Sequence, residues 1–242
     1  MFYESHREYL CSSDLPPEAE ARIPARLRAV FDCGKAEFFA PLKQDFPQLF
    51  ASLLESCGPL KVYEYILREE RLSGGQVKQH LFCLGADAGP NQLRIDAMLA
   101  EPGSKLHRIK YAAKLACLPV EFAHFYTYMD GIGLLESGEI IGRELPLGFS
   151  HWRRLGLHLL DQGMQLPRTL ADETDLEDMR LFIRTRSDHL VLTHVSEAGL
   201  YWAGPPELDV YHPIPDPAVA LDPYMADVIK GHEPDLAEVL DL

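Results

Sequence analysis

The spacing of apolar residues divides the first part of the chain into helical segments. Phenylalanine and leucine recur every three or four positions over residues 36–57, which predicts one or two amphipathic helices interrupted near Pro41 and Pro47. Before them, a helix is predicted to open at Pro16-Pro17 and close at Gly34, either continuous or split at Pro24. Residues 1–14 are predicted to form a leader helix or a loose arm.

The apolar period then shortens to two. Residues 61–67 and 77–84 are rich in β-branched and aromatic side chains, and Gly74-Gly75 lies between them, which predicts a β-hairpin. Residues 93–99 fit either a strand or a short helix. A basic helix is predicted over 105–116.

The second half returns to helices and ends in short strands. A helix opened by Pro119 is predicted to stop at Gly131. The remaining predicted elements are a helix over 150–165, strands over 180–186, 189–195, 199–202 and 210–212, and a closing helix over 222–231 with Pro223 in its first turn.

These elements predict an α+β fold class, with an antiparallel sheet flanked by helices and preceded by a helical region that contains a β-hairpin. The chain of 242 residues suits one large domain or two small ones. We predict a boundary that leaves an N-terminal region at 1–110 and an α+β domain at 111–242.

Charge is distributed unevenly along the chain. The net charge is −14, yet residues 1–119 hold 15 basic and 15 acidic side chains, so the whole excess lies in residues 120–242. An acidic surface disfavours nucleic acid and anionic membranes as partners, and it favours a basic protein. Simple solubility is the alternative explanation.

The residues that usually carry catalysis or metal binding do not form recognisable motifs. The five cysteines are dispersed without a CxxC pair, which predicts neither a disulfide framework nor a zinc site. Leu72 to Gln76 spells an ATPase signature, but the chain has no phosphate-binding GxxxxGK[ST] loop. A metal site from His189, His212 and an aspartate is conceivable, as is a Cys117–His124 nucleophile pair. We predict no catalytic residue, cofactor or metal.

The location expected from the sequence is the cytoplasm. The N-terminus is polar and acidic by residue 4, unlike a signal peptide, and no stretch approaches the ~20 apolar residues of a membrane helix.

One segment carries a resemblance to a known family. Leu118-Pro119, Phe122, Phe125-Tyr126 and Asp130-Gly131 resemble the opening helix of the SMI1/KNR4 domain, of the SUKH superfamily. The predicted strands and closing helix follow in the order that the family shows, over about residues 115–232. The 150–178 segment is longer than expected between the helix and the sheet. The resemblance implies a SUKH-like binding scaffold with no catalytic constellation.

What the resemblance implies about function is an immunity protein, which binds and neutralises a cognate bacterial toxin such as a nuclease or a type VI secretion effector. A basic toxin would be met by the acidic surface. The expected partner-binding residues are Glu136 and Glu139, in a Gly-rich loop after the helix, and Asp172, Glu173, Asp175, Glu177 and Asp178. An adaptor or chaperone for a secreted effector, and an enzyme with an unrecognised site, are the alternatives.

Overall fold

The fold is seen in a computed structural model that describes most of the two ends of the chain and less of its middle. The described residues are 2–10, 14–21, 23, 28–31, 33–70, 76–88, 91–96, 116–128, 131–136, 139–141, 178–184, 189–194, 196–204, 207–232 and 234–241. Within them no helix is long and apolar enough to cross a membrane. The helix predicted over 150–165 lies outside this part of the chain, as do the basic helix except its last residue and the Gly74-Gly75 turn.

The first sheet is antiparallel and contains six described strands in sequence order. Each strand pairs with the next, and the β2–β3 hairpin runs in uninterrupted register from Lys61↔Gly85 to Glu70↔Gln76, as its β-branched and aromatic content predicts. The strands are β1 (Phe2–Tyr9), β2 (Lys61–Glu70), β3 (Gln76–Ala88), β4 (Asn91–Asp96), β5 (Gly131–Glu136) and β6 (Glu139–Ile141).

The second sheet is a four-stranded antiparallel meander in the described residues. Its strands are β7 (Met179–Arg184), β8 (Leu190–His194), β9 (Leu200–Gly204) and β10 (Glu207–Pro213), in the order in which the sequence predicts them. Residues 190–193 of β8 are buried on both faces, which explains why this strand reads as a continuous apolar run rather than an alternating one.

Helices connect and cover the two sheets. They are α1 (Pro17–Glu20), α2 (Lys35–Phe39), α3 (Pro47–Ser56), α4 (Val120–Tyr128), α5 (Pro217–Ile229) and α6 (Leu236–Val239), with 3₁₀ turns at Ala29–Phe31 and Ala40–Leu42. Proline stands in the first turn of α1, α3 and α5, where its missing N–H costs no intrahelical hydrogen bond.

Two sequence predictions of local structure are wrong. The predicted leader helix or arm is strand β1, because pairing with β2 buries Tyr9 while Arg7 and Glu8 stay exposed. Of the two forms predicted for the helix between Pro17 and Gly34, the continuous one is excluded, because α1 ends at Glu20, before Pro24. The closing helix starts at Pro217, so Pro223 lies inside it rather than in its first turn.

The mixed α+β class is confirmed by helices packed with two antiparallel sheets. The ambiguous 93–99 segment is a strand over its described part, β4. Strands after α4 join both sheets: β5 and β6 extend the first, and β7 to β10 form the second. The first sheet therefore takes strands from both sides of the predicted 110/111 boundary, and that boundary stays a prediction.

Phe122 of helix α4 stands at the centre of the main hydrophobic core. Its side chain is 0% exposed, and its ring centroid lies 5.0 Å from that of Phe46, before α3, and 5.2 Å from that of Phe182 in β7. The same core includes Val62 of the first sheet and Leu221 of α5. One aromatic side chain thus links elements far apart in sequence, and aromatic pairs at these distances add to the stabilisation from burial.

A buried carboxylate joins α5 to the start of α3. The N–H groups of Gln48 and Leu49 donate to Asp222 Oδ2 and Oδ1 at 2.9 and 2.8 Å. The first N–H groups of a helix have no intrahelical acceptor, and Phe46, at the N-cap position, supplies none from its side chain. Asp222, 174 residues away from Gln48, therefore caps α3 from another helix.

Removing this cap is expected to destabilise the fold. We expect Asp222→Ala to lower the free energy of unfolding by about 2 kcal/mol or more, because it leaves two N–H donors at a buried helix start without their acceptor. The matched control is Asp227→Ala in the same helix, which removes a partly exposed pair with Lys230 and is expected to cost less than about 1 kcal/mol. Urea denaturation measures both; equal losses would contradict the cap.

The same carboxylate makes stability depend on pH in a defined direction. Desolvation by burial raises the pKa of Asp222 above its ordinary 3.8, against the two backbone hydrogen bonds that lower it. The folded state therefore holds the proton to higher pH than the unfolded state. The resulting stabilisation is fully present below pH 3.8 and is lost as the pH rises through the raised pKa.

Comparison with a variant that cannot titrate tests this linkage. We expect the unfolding free energy of the native protein, minus that of Asp222→Asn, to fall as the pH rises above 3.8 and then to level off. Denaturant titrations at a series of pH values measure the difference. A difference that stays constant or rises with pH would show that burial does not control this carboxyl.

Candidate functional site

Two of the predicted partner-binding residues lie in strands rather than in a Gly-rich loop. Glu136 is the last residue of β5 and Glu139 the first of β6, and the two are register partners next to the connection between these strands. The prediction of a loop is wrong because pairing of β5 with β4 extends the first sheet through the glycine-containing segment that starts at Gly131. The hairpin nevertheless brings the two glutamates' backbones side by side.

Of the five residues predicted to form an acidic cluster over 172–178, the structure describes one, Asp178. Asp172, Glu173, Asp175 and Glu177 lie outside the described residues, so their role stays a prediction. Asp178 immediately precedes β7 and is partly exposed. Met179, its neighbour, pairs with His194 across the sheet, which places Asp178 near the end of β8.

Carboxylates outnumber basic groups among the solvent-reachable side chains that the structure describes in the second half. Among side chains described there, Lys230 is the one lysine or arginine, and it already lies 3.4 Å from Asp227. The described carboxylates that are exposed or partly exposed are those of Glu121, Asp178, Glu197, Asp216, Asp227, Asp235, Glu238 and Asp241. Clustering of one sign creates a field that attracts cationic partners over roughly a Debye length, about 8 Å at physiological salt.

A second group of polar side chains meets beside the second sheet; the sequence suggested only His189, His212 and an unnamed aspartate, as a metal site, and not Trp202. Trp202 Nε1 donates to His189 Nδ1 at 3.1 Å, and His189 Nε2 lies 3.6 Å from Asp235 Oδ1. Because the indole nitrogen can only donate, His189 Nδ1 is the acceptor of this hydrogen bond. His212 completes the group, its ring centroid 5.4 Å from that of Trp202. We call these four residues the Trp202 cluster.

Strand pairing explains why these residues meet. Trp202 is the register partner of both Val191 and His212, and His189 precedes Val191 by two residues, so alternation puts the three rings on one face. The signal in the sequence was this period of two, but the partners of each strand could not be known without the fold. Asp235 reaches the cluster from another element, at the N-cap of α6, where it accepts the N–H of Ala237 at 2.8 Å.

Gly204 lets the indole lie close to the strand. A Cβ atom at this position would be 2.4 Å from Trp202 Cζ2 and 3.0 Å from His189 Nδ1, closer than van der Waals contact allows. The glycine therefore leaves the space that the Trp202 ring occupies, and the hydrogen bond to His189 orients the ring there.

The conceivable metal site is not assembled in the described part of the chain. There, no group of three or more His, Cys, Asp and Glu side chains could hold an ion. His189 and His212 each pack on the Trp202 ring, and Nδ1 of His189 is engaged by the indole N–H. The cluster is thus suited to hold an aromatic ring in place rather than to ligate a cation through two imidazoles.

The conceivable Cys117–His124 pair has chemistry that works against it. Cys117 is buried, and desolvation raises the pKa of its thiol, which disfavours the nucleophilic thiolate. His124 Nδ1 instead lies 2.6 Å from Asp45 Oδ2, in the turn before α3. This bond links α4 to the start of α3, the same junction that Phe46 and Phe122 occupy.

Filling the space at Gly204 is expected to displace the cluster. We expect Gly204→Ala to cost about 1–3 kcal/mol of stability and to change the tryptophan emission, because the indole and the His189 ring must move. Gly199→Ala in the same β8–β9 segment is the matched control, since its Cβ would meet Tyr201 at an ordinary 3.8 Å. Denaturation followed by fluorescence measures both variants. Equal behaviour of the two would refute the close approach.

The segment that resembles the SMI1/KNR4 helix does form a helix, α4, and buries Phe122 and Phe125. Gly131 begins strand β5 three residues after Tyr128, the last residue of that helix. These observations describe an amphipathic helix whose aromatic side chains pack into the core. Comparison of the chain with protein-family models, with curated proteins and with solved structures gives no match.

Proposed function

We propose that this chain is a binding protein of the immunity type, with a SUKH-like second half, that neutralises a cognate protein toxin in the cytoplasm and performs no catalysis itself. The single observation that carries the proposal is the charge of the second half: eight solvent-reachable carboxylates accompany one lysine among the side chains described there. A toxin that acts on nucleic acid needs a basic surface to hold phosphates. An acidic inhibitor is attracted to that surface and blocks it.

The electrostatics favour a role in association more than in fold stability. The exposed carboxylates of the second half have few described cationic neighbours, and unpaired like charges repel one another in the folded state. Such a surface gains energy when a positive surface approaches, which raises association rates by about 10- to 1,000-fold at low salt. Rapid capture suits an inhibitor that must act before its toxin does.

The buried titratable groups also fit a protein that acts through its surface. Asp222, the most deeply buried carboxylate of the described second half, is committed to capping α3. Burial raises the pKa of Cys57 to about 11, so that its thiol is unreactive at neutral pH. Asp222 and Cys57 thus contribute to the packing of the fold rather than to a reactive site.

Charge reversal with a matched control tests the proposal. The partner is the product of the adjacent gene, co-purified with this chain and assayed for its own activity. We expect Asp172→Lys, Glu173→Lys and Asp175→Lys together to slow association by about tenfold or more and to reduce its dependence on salt. Stopped-flow or surface-plasmon measurements at two ionic strengths give both quantities.

The control changes net charge equally in the other half of the chain. Glu18→Lys, Glu37→Lys and Glu55→Lys alter three exposed glutamates among residues 1–119. If the association rate fell equally in the two triple variants, the effect would come from total charge and not from the 172–178 segment. Unchanged association in the first variant would remove the 172–178 segment from the interface, and absence of any binding or inhibition would overturn the immunity function.

A further inference from the structure

The Trp202 cluster combines an aromatic face with a carboxylate in a way that core packing does not require. Other large aromatic side chains of the core, such as Phe122 and Phe182, are fully buried among apolar neighbours. Trp202 is only partly buried, and its neighbour His212 is exposed. A ring that lies at the edge of the core, beside imidazoles and a carboxylate, has the composition of a contact site.

The indole is held in one place before any partner arrives. Its Nε1 is tied to His189 Nδ1 at 3.1 Å, and its six-membered ring lies against Gly204, where a Cβ would clash at 2.4 Å. A side chain fixed in this way loses little conformational freedom when it is covered, so more of its contact energy appears as affinity.

The charge beside the ring is negative. Asp235 has 48% of its side-chain surface exposed, and its Oδ1 lies 3.6 Å from Nε2 of His189, the residue that accepts the indole N–H. Glu238 and Asp241, also exposed, follow within one turn and just past the end of α6. A cation that approaches the Trp202 cluster therefore meets an aromatic ring and the carboxylate of Asp235, which His189 links to each other.

We propose that the Trp202 cluster receives an arginine side chain of the basic partner, with the guanidinium over the Trp202–His212 rings and its N–H groups toward Asp235. This inference rests on the proposed function, which makes the partner basic. Arginine fits better than lysine because its planar guanidinium stacks on aromatic rings and is weakly hydrated, whereas the ammonium is a compact, strongly hydrated charge.

A peptide probe tests the site without the toxin. The full chain carries two tryptophans, Trp152 and Trp202, so Trp152→Phe leaves Trp202 as the sole reporter of fluorescence. The probe is a hexa-arginine amide, and its comparator is the hexa-citrulline amide, which has nearly the same shape and no charge. We expect a saturable change in Trp202 emission with the arginine peptide and none with the citrulline peptide.

Two variants then separate the site from general charge attraction. Asp235→Asn keeps an N-cap residue for α6, so the fold is preserved, and we expect it to raise the dissociation constant of the arginine peptide about fivefold. Asp227→Asn removes the same charge from α5, beside Lys230, and is expected to change the constant by less than about twofold.

Each outcome bears on one of the two proposals. A linear, unsaturable response, an equal response to citrulline, or equal effects of the two variants would overturn the arginine site. If the adjacent gene's product binds and is inhibited while the peptide does not report at Trp202, the immunity function stands and this site falls. If the peptide binds as expected but no protein partner is inhibited, the site stands and the immunity function falls.

Discussion

The fold depends on a hydrogen-bonded junction between two helices that are far apart in sequence. Asp222 of α5 accepts two N–H groups at the start of α3, and its burial is tolerated because those donors would otherwise lack acceptors. Apolar residues of α3 and α5 pack in the same core around this contact, among them Leu49, Leu221 and Met225. The last long helix of the chain is thereby fixed to its first long helix.

The aromatic side chains around Phe122 extend that junction to both sheets. Phe46 immediately precedes α3 and meets Phe122 of α4, which in turn meets Phe182 of β7. The His124–Asp45 bond lies at the same place and orients α4 on the turn before α3. The second sheet, and with it the Trp202 cluster, is thus positioned by contacts that originate in the first 60 residues.

Function, as proposed, uses the surface that this core leaves outward. Most of the large apolar side chains and Asp222 are buried in the core, while the remaining described carboxylates of the second half are exposed or partly exposed to solvent. Trp202 lies at the boundary between core and surface: it packs against the core, its ring lies 5.4 Å from that of His212, and His189 connects it to Asp235. Interfaces commonly use such an arrangement, because a rigid aromatic anchor supplies affinity and surrounding charge supplies rate and selectivity.

The sequence by itself determined the helices around α3 and α4, the β2–β3 hairpin, the order of the second-sheet strands and the unequal distribution of charge, because these depend on local period and composition. It did not reveal that residues 2–9 form a strand, since a short polar segment becomes one only by pairing with β2. Nor did it reveal that Asp222 caps a helix 174 residues away, or that His189 contacts both Trp202 and Asp235. Those contacts join separate elements, and only the tertiary structure decides which elements become neighbours.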